Sequence, residues 1–148
     1  MFWGGPEVLA LTSDLAGNVP DLRIVIDHVA NLRIDGRQPP QAWRDGIRSA
    51  SQHRHVYCKV SGLVEGSGKR DGQAPAEVDF YRPVLDVVWQ SFGSRRVVYG
   101  SNWPVSEPFA NYPTVQRIVS TYVAERGTEA SRRFFSKNAL DVYQWIQR

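Results

Sequence analysis

The sequence predicts an α/β fold built on a parallel sheet, and three observations carry that prediction. Short β-branched runs occur at residues 24–26, 56–60 and 96–99, each separated from the next by a segment of helical periodicity. The first run, Ile24-Val25-Ile26, is continuous rather than alternating, the pattern of a strand covered on both faces. Helix-length connections between successive strands make right-handed βαβ units, which need a parallel sheet.

Each element follows from local chemistry. Residues 6–16 read as a helix, with a proline in the first turn, apolar Val8, Leu9, Leu11 and Leu15, and Gly17-Asn18 to close it. The first strand, 24–26, ends at Asp27-His28. A polar loop with prolines spans 35–40, and Trp43, Ile47 and Ala50 then recur at helical spacing within 41–53. The second strand, 56–60, stops at Ser61-Gly62. The stretch "EGSGKRDGQAPAE", 65–77, has the composition of a loop. Helical periodicity returns over 80–92 through Val84, Leu85, Val88 and Trp89, and Gly93 stops it. The third strand, 96–99, delivers "GSNWP". An amphipathic helix covers 112–126 with Val115, Ile118, Val119 and Tyr122 on one side, and 128–148 reads as one or two helices broken near Lys137-Asn138. Three strands make a small sheet with an apolar edge, so the expectation is a larger sheet whose remainder lies before Met1.

Composition narrows the function. The chain has 148 residues, 42% hydrophobic and 22% charged, which suits one ordinary domain and argues against disorder. No apolar run approaches the ~20 residues of a membrane helix, and the start lacks the layout of a signal peptide. A cytoplasmic protein without membrane association is therefore expected. Cys58 is the one cysteine and sits inside an apolar run, as a buried small residue does. The net charge is +3, but the arginines are dispersed and no basic run interleaves with aromatics, so no nucleic-acid partner is expected.

In parallel α/β folds chemistry gathers at the carboxyl ends of the strands. Here those ends carry Asp27-His28, then Lys59 and Ser61, then Ser101-Asn102-Trp103. A histidine, a lysine and an amide on one rim can bind an anionic or carbonyl-bearing small molecule, and a neutral imidazole can also ligate a metal. Each residue has a plainer alternative. His28 can be a structural group, Lys59 can run its stem out to solvent, Ser61 and Asn102 can be turn formers, and Trp103 can be a wall. His53 and His55 have no carboxylate or cysteine at ligand spacing and stay outside the site.

"VIDHVAN", "VYCKVSGLVE", "FGSRRVVYGSNWPVS" and "FFSKNALDVYQW", in this order and with helix-sized spacers, resemble the C-terminal half of the amidohydrolase-related (amidohydrolase family 2) proteins. The resemblance runs from about residue 20 to the end. It implies a TIM-type (β/α)8 barrel, of which residues 1–148 supply the last three strands and their helices, a partial barrel domain without its N-terminal strands. It also implies a metal-dependent type of hydrolase, with zinc the metal to expect and His28 its one visible candidate ligand. His28 takes the place of the histidine that polarises the substrate carbonyl, Lys59 that of the lysine near the substrate's polar groups, and Ser61 supports the rim. The last strand of such proteins usually reads G-S-D-W-P, with an aspartate that activates water. This chain has Asn102 there, and an amide accepts no proton at neutral pH and is a poorer ligand for a hard cation.

The resulting expectation is a hydrolase that opens a small lactone or similar cyclic ester by water attack, with His28 and Asn102 catalytic and Lys59, Ser61 and Trp103 holding substrate. Residues 1–148 alone are expected to be inactive. The alternatives are a non-catalytic barrel that binds a small molecule, favoured by Asn102, and a decarboxylase of the same family. Substrate identity and oligomeric state stay open at this level.

Overall fold

The computed structural model describes residues 5–144. Among them the order is α1 (Pro6–Asn18), β1 (Ile24–Ile26), α2 (Gln41–Ser51), β2 (Val56–Val60), α3 (Val78–Phe92), β3 (Val97–Tyr99), α4 (Tyr112–Ala124), α5 (Thr128–Arg132) and α6 (Asn138–Tyr143). The three strands are parallel in the order β1-β2-β3, with Ile24 opposite Val56 and Cys58 opposite Val97. This is the α/β architecture expected, and β1 and β2 begin and end where the β-branched runs do.

The strand periodicity sorts the side chains onto two faces. Ile24, Ile26, Val56, Cys58, Val60, Val97 and Tyr99 lie on the face that packs on the helices and join the main hydrophobic core. Trp43, Ile47 and Ala50 of α2, Val84, Leu85 and Val88 of α3, and Ile118, Val119 and Tyr122 of α4 meet them there. The opposite face carries Val25, Tyr57, Lys59 and Val98, and of these only Val98 is fully buried. The helices cover one face of β1 and β2, as in a barrel, whose second face looks inward.

The amino ends of the strands are closed in two ways. At the amino ends, the Arg96 guanidinium donates to the carbonyls of Ser51, His53 and Val56, tying the end of α2 to the start of β2. Half of the arginine doublet is therefore structural. Beyond β3, residues 133–137 form a π-helical turn between α5 and α6, so the tail widens rather than breaks. That turn places Phe134 5.7 Å and Phe135 5.1 Å from the Tyr99 ring, measured between centroids. Asn138, fully buried, donates from Nδ2 to the carbonyls of Ser94 and Val97 at 2.8 Å and so covers the start of β3. The carboxyl ends of the strands are left for side chains.

Candidate functional site

β1 stops because the chain reverses handedness. His28, Val29, Ala30 and Asn31 all have φ between 45° and 57°, a left-handed turn directly after Asp27. Such backbone costs L-residues roughly 1–2 kcal/mol each. Three contacts hold it: Ala30 N–H donates to Asp27 O at 2.9 Å, the Trp43 indole donates to Val29 O at 3.1 Å, and Val29 and Ala30 are buried. The turn carries His28 across to β2, where its Nδ1 lies 2.8 Å from Ser61 Oγ. Ser61 is 2% exposed and His28 half-buried, so the bond is buried at its serine end. Gly62 follows at φ 64°, and a Cβ there would meet His28 Cβ at 3.1 Å and Nδ1 at 3.2 Å. Glycine is needed on both counts.

Lys59 sits on the face turned away from the helices and pairs with Asp27 Oδ1 at 2.8 Å. Asp27 therefore steadies the lysine rather than the histidine. The pair is half-exposed, and two ammonium protons of Lys59 are left for other acceptors. Gly100 passes so close that a Cβ on it would lie 2.8 Å from Lys59 Cε and 3.2 Å from Ser61 Cβ. The bare backbone of β3 thus fits against the lysine stem.

At the end of β3 the chain turns at Asn102, φ 57°. The Asn102 amide donates from Nδ2 to Glu65 Oε1 at 2.7 Å. Ser106 Oγ, fully buried, lies 2.8 Å both from the same oxygen and from Ser101 O, so its single proton serves one acceptor at a time. Glu65 is carried by a single helical turn, Leu63–Gly66, right after β2. Its other oxygen, Oε2, is buried with no hydrogen-bond partner among the described residues. Glu65 and Ser106 were not among the expected site residues. The available signal was a carboxylate within one helical turn of a strand end, hidden in a stretch that reads as a loop.

Trp103 is 39% exposed and meets Tyr112 edge to face, ring centroids 5.7 Å apart. It lines a cleft of about 370 Å³ with Gly72, Ala74, Ala76, Glu107 and Asn111. His28, Lys59, Ser61 and Asn102 do not line that cleft, so Trp103 stands apart from the other four. His53 and His55 lie at the opposite end of β2, 6.0 Å apart by ring centroids. Among the described residues no three His, Cys, Asp or Glu side chains gather at metal-ligand spacing. Since catalytic zinc takes three protein ligands, these residues alone do not make a zinc site.

Parallel strands with helices on one face, a second face turned inward and polar side chains at the strand ends are the arrangement of a partial TIM-type (β/α)8 barrel. The chain belongs to the amidohydrolase family, whose family model matches residues 4–145. It is 31% identical over 147 residues to an L-fucono-1,5-lactonase of Burkholderia ambifaria, covering 94% of this chain and 47% of that protein. A crystal structure of an amidohydrolase from Burkholderia multivorans with bound HEPES superimposes with a TM-score of 0.84 at 23% identity, over 95% of this chain and 51% of the other. An amidohydrolase from the same organism solved with bound zinc gives a TM-score of 0.80, again at 23% identity, over 95% of this chain and 50% of the other. The chain spans about half the length of the relatives it matches. No helix among the described residues is long and apolar enough to cross a membrane.

Proposed function

We propose that the protein containing this chain hydrolyses a small lactone or similar cyclic ester, with the reacting carbonyl held at the carboxyl ends of β1, β2 and β3. The observation that carries this reading is the part-buried His28–Ser61 bond at the strand ends, in a chain of the amidohydrolase family. A relative named as a lactonase supports the substrate class.

Ser61 decides what His28 can do. With the hydroxyl donating to Nδ1, the proton of the neutral ring sits on Nε2, which then donates to a substrate carbonyl and polarises it. With Nδ1 donating to Ser61, Nε2 keeps its lone pair and can take a proton or ligate a metal. Lys59 keeps ammonium protons for a hydroxyl or carboxylate of the substrate while Asp27 fixes its stem. Asn102 orients water or substrate through its carbonyl oxygen. Trp103, in this reading, borders the entrance from its own cleft. A zinc ion, if the protein uses one, draws ligands from beyond these residues. It would supply a polarising charge and a more acidic water.

Asn102 favours a second reading, a barrel that binds the small molecule without turning it over, because its amide is engaged with Glu65 and takes no proton. One experiment separates the two. The protein is incubated with a sugar 1,5-lactone, with and without zinc, while ring opening is followed by acid release and binding by calorimetry. Acid release above the uncatalysed rate supports hydrolysis. Saturable binding without acid release replaces it with the binding reading, and neither signal removes both.

A further inference from the structure

Among the described residues the corner at β3 holds a polar cluster, Glu65, Asn102 and Ser106, of which the proposed reaction uses Asn102 alone. Glu65 Oε1 accepts from Asn102 Nδ2 at 2.7 Å, and Ser106 Oγ, 2.8 Å away, shares its single proton between this oxygen and Ser101 O. An ionised carboxylate only accepts hydrogen bonds. Its presence therefore settles which end of the Asn102 amide faces it: the NH2 group must, and Oδ1 must face away. The cluster also forbids the residue that the family resemblance leads one to expect at 102. An aspartate in this geometry would put a second carboxylate oxygen about 2.7 Å from Glu65 Oε1, and like charges at that distance exclude each other unless they share a proton. Glu65 Oε2, already buried without a partner, can absorb no further loss of donors.

We propose that Glu65 is a positioning residue for position 102: its carboxylate selects an amide there and turns it so that the carbonyl oxygen, rather than the NH2, is offered to the substrate or its attacking water. This rests on the placement of Asn102 at the proposed site. The pair Glu65–Asn102 then replaces a lone carboxylate, with the negative charge set one residue back and the amide carrying it forward as a polarised acceptor. Restoring the aspartate alone therefore does not restore a family-like corner. Exchanging the two partners does, because in N102D/E65Q the glutamine amide donates to the aspartate and the hydrogen bond is reversed rather than lost.

The test is a four-variant cycle on the protein containing this chain, wild type, E65Q, N102D and N102D/E65Q, read by thermal unfolding. N102D is expected to lower Tm by about 5 °C or more, and E65Q in that background to recover most of the loss. Equal effects of N102D in the wild-type and E65Q backgrounds overturn the proposal. Should N102D fail to fold, the wild-type side-chain amide of Asn102 serves instead. One of its two protons resonates downfield, as a carboxylate-bonded proton does, and moves back in E65Q; an Asn102 signal indifferent to E65Q overturns the proposal. In the lactone assay the double variant exceeds N102D in kcat, and a gain in N102D alone overturns it. The first two measurements need no turnover, so their failure is distinct from failure of the lactonase reading.

Discussion

The His28 ring reaches Ser61 only because nothing projects from Gly62, whose φ of 64° also lies where a side chain is strained. Gly62→Ala is therefore expected to cost about 1–2 kcal/mol, measured by urea unfolding, and to displace the histidine from Ser61. An unchanged midpoint would mean the contact is looser than described. At this scale the sequence revealed where polar side chains follow apolar runs, which is why His28, Lys59, Ser61 and Asn102 could be picked out as strand-end residues. It did not reveal their pairing. Asp27 could have held His28 or its own turn, and only the register of β1 on β2 brings it to Lys59. Glu65 escaped because its neighbours are glycine, serine and lysine, so its region reads as solvated chain.

Among the elements, the left-handed turn at residues 28–31 was the least legible. Val29 and Ala30 are ordinary L-residues with no local preference for positive φ, and tertiary contacts impose the conformation. The indole of Trp43 is the most specific of these contacts. Trp43→Phe keeps the ring in the core but leaves Val29 O unpaired, and should cost about 1 kcal/mol. Amide exchange at Val29 and Ala30 should speed up with it, whereas unchanged exchange would show that the turn is held by burial alone. The strands, by contrast, were readable to the residue for β1 and β2, since Ile24-Val25-Ile26 and the run from Val56 to Val60 have few other uses. Helix ends were less so: α3 begins at Val78, two residues before the apolar periodicity does, and α4 ends two residues before Arg126. The π-turn keeps the helix continuous where Lys137-Asn138 had suggested a break, because Asn138 must reach the carbonyls of Ser94 and Val97.

For the whole molecule, the sequence alternation was enough for a parallel α/β segment but not for the use of its two faces. Lys59, the charged residue of β2, marks the inward face, and the covered face is the one that gives the core its aromatic layer. Tyr99 belongs to that layer, donating to Gln116 Oε1 at 2.7 Å. Burial, with Tyr112 adding to it, pushes its phenol from 10.0 up to about 12, and burial also pushes Tyr81 and Tyr122 up. A pKa raised by folding means the fold favours the protonated phenol. The stability this represents is complete below pH 10 and drains away as pH rises towards about 12. Alkaline unfolding is accordingly expected in that interval, with ionisation of Tyr99, followed by its own ring NMR signals, and loss of helical circular dichroism rising together. Ionisation of Tyr99 near pH 10 without unfolding would contradict the packing of this layer.

In the proposed reaction everything turns on His28, held by Ser61 at the strand ends and acting on a lactone carbonyl. Lactone opening by the wild-type protein and by H28A, with lactone binding measured alongside, tests this without intermediaries. A fall in kcat of about 10²–10⁴-fold with binding largely retained is expected. Full activity in H28A would contradict it.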